Sequence, residues 1–213
     1  MAITTYAELQ TAIALWLRPG SGSTTGLQLT DFITLFESRA NRRLRLRVME
    51  SDESVVAVVG SRAIALPTGF IDPIGFWLTD LDPREELIYS LPESLHVTTV
   101  ETRPQYWAID GTNIVFECES DAAYTAIFRM LKSFALSGSV TTNWLLTNHP
   151  DLYLYGSLLE AAPFVRDKDM ISVWKAFVEE AFSDIENKEQ RARGLAALRT
   201  DLSLTSTSNI LRG

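Results

Sequence analysis

Apolar residues recur every three to four positions at both ends of this chain and every second position in its middle. Near the start, Leu9, Ile13, Trp16 and Leu17 share one face of a helix. Thr5 and Glu8 have the spacing of a capping box, in which the hydroxyl accepts from the third helical amide while the carboxylate reaches back. The pattern predicts a helix to about Leu17, stopped by Arg18-Pro19-Gly20-Ser21-Gly22-Ser23. A second helix is predicted from Thr30-Asp31, with Thr30 as its cap and Phe32, Ile33, Phe36, Ala40 and Leu44 as its apolar face. It ends among arginines, where cations suit the negative helix end.

After Met49 the period shortens to about two, and β-branched and aromatic runs alternate with Gly, Pro and Asp. Strands are predicted at 54–59, 62–66, 74–79, 86–91, 105–109, 113–118 and 124–131. Asp110-Gly111 marks a hairpin, because both residues tolerate the positive φ of tight turns. Pro92-Glu93-Ser94-Leu95 predicts a short helical excursion. From Asn143 the helical period returns, with a stop and restart at Asn148-His149-Pro150-Asp151 and a helix through Leu152, Tyr155, Leu159 and Ala162. Asp167-Lys168-Asp169 separates it from a last helix whose stripe is Ile171, Trp174, Phe177, Val178, Ala181, Phe182 and Ile185. The closing LSLTSTSNILRG has no period and is expected to be mobile on its own.

Each terminal helix has an apolar face that needs a cover, so the two N-terminal helices are expected to pack on the two C-terminal ones. The expected fold is α+β: a helical bundle interrupted by an antiparallel β-sheet or sandwich, with an extended C-terminal tail. Residues 1–50 and 143–193 would form the bundle, 51–142 the β insertion and 194–213 the tail.

The chain has 213 residues, enough for one domain with an insertion, and 46% are hydrophobic. One cysteine, Cys118 in IVFECES, excludes an internal disulfide and reads as a structural thiol. The start MAITTYAELQ lacks a basic region followed by an apolar one, and Leu152 to Phe164 is too short for a membrane span and contains Glu160 and Pro163. A soluble, reducing, intracellular setting is the expectation, without membrane contact.

The catalytic inventory is thin. There are two histidines, His96 and His149, with no metal-binding pair, no nucleophile elbow and no phosphate loop. His149 precedes a proline and reads as a local hydrogen-bonding residue, and His96 lies in a polar excursion. Asp80, Asp82, Glu85 and Glu86 gather at a turn but lack the spacing of a calcium loop. No enzyme activity, cofactor or metal is expected. The net charge of −8 disfavours general binding of polyanions. One stretch departs from it: RANRRLRLR at 39–47 places Arg39, Arg43 and Arg47 on one helical stripe with Arg42 beside it. That stripe reads as a solvated helix end, an interface for an acidic protein surface, or a contact for DNA phosphates.

Three segments carry a resemblance: MAITTYAELQTAIALWL, LTDFITLFESRANRRLRLRVME, and NWLLTNHPDLYLYGSLLEAAPF with the following VWKAFVEEAFSDI. They resemble the phage adaptor proteins that join portal to tail, and RPQYWAIDGTNIVFE resembles the β insertion of that family. The resemblance implies a structural protein of the virion neck, made in the bacterial host cytoplasm. It implies a homo-oligomeric ring of twelve copies docked under the portal protein. That ring would extend the DNA channel, let packaged DNA pass without specific binding, and present a surface to tail, stopper or nozzle proteins. It places Tyr153, Tyr155, Leu159 and Pro163 in the helical core and Asn143 and Trp144 at the entry into it; Trp144, and by the apolar stripe of the last helix Trp174 and Phe177, are counted with that core. In an assembly the tail would gain order on binding, with Leu202, Leu204, Ile210 and Leu211 as apolar anchors and Arg212 as a charge contact to portal or neighbour.

Other neck proteins, a stopper or a tail terminator, are the nearest competing reading, and helical flanks around a β insertion favour the adaptor over them. A DNA-binding module using Arg39 to Arg47 is a second, and an enzyme of another type a third.

Overall fold

The computed structural model describes residues 3–17, 28–80, 83–165 and 168–207, with side chains for 3–17, 28–80, 83–164 and 170–193. The chain divides into two compact units, one formed by residues 1–48 with 134–213 and the other by 49–133.

The first unit is helical: α1 (Tyr6–Leu17), α2 (Leu29–Arg43), α3 (Trp144–Asn148), α4 (Pro150–Val165) and α5 (Lys168–Thr207). The capping box of α1 forms, with the Glu8 amide donating to Thr5 Oγ1 at 3.3 Å and Glu8 Oε2 accepting from the Thr5 amide at 3.0 Å. Thr30 does not cap α2. The Gln28 carbonyl accepts from the amides of Asp31 and Phe32, so the cap lies two residues earlier, at Gln28, and Thr30 falls inside the first turn. The predicted break at His149 is present, and Asn143 caps α3 by accepting from the Leu146 amide at 2.9 Å. α4 is apolar nearly all round, as expected of a helix enclosed by others. It packs on α1, α2 and α5. Gly156 permits the approach of α2, because a Cβ there would collide with the Phe36 ring.

Two boundaries differ from those read in the sequence. Residues 134–142 group with the helices and not with the β insertion. Asn41 of α2 holds Phe134 by a paired bond, its Nδ2 donating to the carbonyl at 2.8 Å and its Oδ1 accepting from the amide at 3.1 Å. α5 continues to Thr207, past residue 194 where the tail was expected to begin. Leu195, Ala196, Ala197, Leu198 and Arg199 are strong helix formers, and together they outweigh Gly194.

The second unit is a β-sandwich of two four-stranded sheets. Its strands are β1 (Glu50–Ala57), β2 (Ala63–Ala65), β3 (Phe70–Leu78), β4 (Glu85–Glu86), β5 (Ile88–Tyr89), β6 (Tyr106–Asp110), β7 (Asn113–Phe116) and β8 (Tyr124–Lys132). The orders are β1-β8-β3-β4 and β2-β7-β6-β5. Phe76 and Phe128 from one sheet meet Trp107 and Phe116 from the other in a single core. The hairpin at Asp110-Gly111 forms, with Asp110 opposite Asn113 and Gly111 at φ 58°. The run at 86–91 is not one strand. Leu87 is buried where the chain leaves one sheet for the other, and β5 then pairs with β6 in parallel, so the named strand pairs are antiparallel except for that one, and isolated parallel bridges join Ser120 to Val59 and Thr102. The short turn predicted at Pro92 is a 3-10 turn over Pro92–Ser94.

Candidate functional site

Among the described residues, the helical unit contains one buried carboxylate. Glu37 lies one turn beyond Ile33 on the apolar face of α2 and is buried. Its Oε1 accepts from the Leu136 amide at 2.7 Å and from the Tyr153 hydroxyl at 2.8 Å. Asn143 Nδ2 donates to the same hydroxyl at 2.6 Å. One side chain from α2 thereby fastens the 134–142 segment and α4. Burial pushes the Glu37 carboxyl above its ordinary range, opposed by the bonds from Tyr153 and Leu136. Burial also pushes the Tyr153 phenol up, with the Glu37 charge adding to it, so the hydroxyl stays a donor. Sequence reading passed over Glu37. Its signal was a carboxylate at the apolar register between Phe36 and Ala40.

The arginine stripe is occupied by carboxylates of the same chain. Arg39 pairs with Glu160 of α4 at 2.7 Å, and Arg43 with Glu179 and Glu186 of α5 at 2.6 and 2.8 Å. The Arg43 guanidinium also lies 4.4 Å from the centre of the Phe182 ring. Arg47 reaches Glu189 at 3.3 Å, and the same carboxylate holds Arg193. The stripe therefore ties α2 to α4 and α5. Arg42 is exposed and forms no ion pair among the described residues.

The residues expected in the helical core occupy graded positions. Tyr153, Leu159 and Trp174 are buried, while Trp144 and Tyr155 are half-buried. Phe177 is 43% exposed, because it stands at the edge of the α5 stripe and covers Tyr155 from outside, with ring centres 5.0 Å apart. Trp16 meets the same Tyr155 ring edge-on at 5.9 Å. Pro163 is exposed near the end of α4. Leu202 and Leu204 fall on the backbone of α5, and Ile210, Leu211 and Arg212 lie outside the described residues.

The other candidates do not converge on chemistry. His149 follows α3 in a groove of about 280 Å³ with Trp144 and Ile185, and burial lowers its pKa. His96 is exposed. Cys118 is buried, and burial raises its thiol above the ordinary range. Asp80 accepts from the Thr125 amide, Glu85 pairs with Arg103 at 2.9 Å, Glu86 is exposed, and Asp82 lies outside the described residues. Among the described residues there is no group of three His, Cys, Asp or Glu placed to hold a metal, and no helix is long and apolar enough to cross a membrane.

No curated protein matches this sequence. A family model described as SU10 adaptor protein matches residues 4–201, which takes in both helical flanks and the whole β insertion. The chain belongs to the SU10 adaptor protein family, a family of phage head-to-tail adaptors.

Proposed function

We propose that this protein is a structural component of the virion neck that assembles as a ring of about twelve copies under the portal, extends the DNA channel and offers a docking surface to tail components. The observation that carries the reading is the family match across residues 4–201. The role is adhesive and not catalytic. The C-terminal segment with Leu202, Leu204, Ile210, Leu211 and Arg212 is the docking element for portal or neighbour, and DNA passes the lumen without specific contacts.

The arginine geometry weighs against the DNA-binding alternative. Phosphate contacts need cations free to exchange counterions, and Arg39, Arg43 and Arg47 are engaged by Glu160, Glu179, Glu186 and Glu189. The deciding experiment is light scattering of the purified protein alone and mixed with portal rings, repeated after deletion of 202–213. Full-length protein should add the mass of a ring to the portal and the truncated form should not. Absence of any added mass with the full chain would defeat the reading.

A further inference from the structure

The helical unit carries two exposed surfaces of opposite chemistry on different sides. The first lies over α1, α4 and α5. Trp16, 51% exposed, and Phe177 flank the half-buried Tyr155, and Asp151, Glu180 and Asp184 lie beside Tyr155 and Phe177. A cleft of about 250 Å³ opens among these acids and the two rings of Tyr155 and Phe177. The three acids form no ion pair among the described residues, unlike Glu179, Glu186 and Glu189 of the same helix. The second surface is an exposed ridge of α2 that borders α4 at Arg39. It presents Leu35, 53% exposed, then Arg39 and Arg42, the latter without an ion pair among the described residues, at successive turns.

Helical geometry keeps these surfaces apart. At about 100° per residue, Phe177 and Asp184 lie between about 140° and 180° around α5 from Glu179 and Glu186, and it is the latter pair that faces α2. One copy cannot bring its own acidic surface onto its own arginine ridge. Two copies can. An aromatic centre with a charged rim is the usual anatomy of a specific protein contact, and a contact between two different surfaces of identical chains repeats head to tail, closing a ring where the rotation permits.

We propose that the Trp16–Tyr155–Phe177 surface with its three acids receives the Leu35–Arg39–Arg42 ridge of a second copy of this chain. This rests on the ring reading above and assigns the surfaces that meet between neighbours. Leu35 supplies the apolar knob against the aromatic rings. Arg42 meets Glu180 and Asp184, and Arg39 is shared between its own Glu160 and the neighbour's acidic rim.

Charge reversal tests the assignment. R42E inverts the ridge, and the double substitution E180R/D184R inverts the acidic surface. All three positions are exposed, so folding should be unchanged by circular dichroism. Placed on portal rings, each variant alone should form rings at a level lower by roughly tenfold or more, since like charges then face each other. An equal mixture of the two variants should recover assembly, because alternating copies satisfy both kinds of contact. If each variant alone forms rings as the unsubstituted chain does, or if the mixture recovers nothing, the assigned surfaces are wrong while the ring reading stands. If the unsubstituted chain itself adds no ring to the portal, the ring reading fails and the assignment fails with it.

Discussion

Replacing Tyr153 by Phe removes one oxygen from the middle of the helical unit, and the structure sets the size of the loss. Tyr153 is fully buried, its hydroxyl donates to Glu37 and accepts from Asn143, and the ring edge packs on Phe36. Phenylalanine retains the ring contact. It deprives a buried carboxylate of a donor, a bond worth about 1.5–3 kcal/mol, and strands the Asn143 amide, at up to about 1–3 kcal/mol more. Asn143 is half-buried and water recovers part of that second amount, so the expected loss is about 2–4 kcal/mol.

The same substitution has a pH signature. Burial raises Glu37 in the folded chain above its value in the unfolded chain. Its contribution to stability is therefore fully present below the ordinary carboxylate pKa and declines as pH rises through the folded value. The Tyr153 bond holds that folded value down, and Y153F should move it further up and widen the window. The loss measured by urea unfolding, followed by helical circular dichroism, should thus be greater at about pH 7 than at about pH 4. Glu37→Gln keeps an acceptor for both donors without a buried charge and should stay within about 1 kcal/mol of the parent near neutrality. A Y153F loss below about 0.5 kcal/mol, or one of equal size at both pH values, would refute the reasoning.

Three further outcomes are expected. Thr5→Ala, which removes the α1 cap, should cost about 1 kcal/mol in urea unfolding. Gly156→Ala places a methyl group against the Phe36 ring and should cost at least about 1–3 kcal/mol, with hydrogen exchange rising first in α2 and α4. Replacing residues 50–131 by a short Gly-Ser linker should leave a folded helical unit, detected by retained helical dichroism and a cooperative transition.

The legible part of this fold is the part governed by local period. Leu9 with Ile13, and Phe32 with Phe36 and Ala40, appear at helical spacing and are buried accordingly. The hairpin at Gly111 and the break at His149 follow from backbone restrictions of single residues. What local pattern misses is pairing over long separations. ELIYSL looks like one strand, but Leu87 is drawn into the sandwich core and the segment is shared between sheets. Glu37 looks like a polar interruption because its partners stand 99 and 116 residues away, at Leu136 and Tyr153. The arginines read as available cations for the same reason, since Glu179, Glu186 and Glu189 approach only through the packing of α5 on the rest of the unit.

Long separation also raises a question about the helical unit, whose two segments come from opposite ends of the β insertion. Bringing the ends of a long flexible loop together carries an entropy cost that grows as about (3/2)RT ln n. The β unit removes most of it by its own register. β1 and β8 are antiparallel neighbours along their whole lengths, with Glu50 opposite Leu131 and cross-strand bridges from Glu50 to Arg129 and Glu53 to Lys132. The insertion therefore begins and ends on adjacent strands, with Cα atoms about 5 Å apart at that pair. Immediately after β8, the Asn41 amide captures the backbone of Phe134, and two residues later Glu37 captures Leu136. Closure of the helical unit is reduced to contacts between α2 and a segment delivered beside it. A short linker between adjacent ends can replace what the strand pair provides, which is the physical basis for expecting the helices to fold without the insertion.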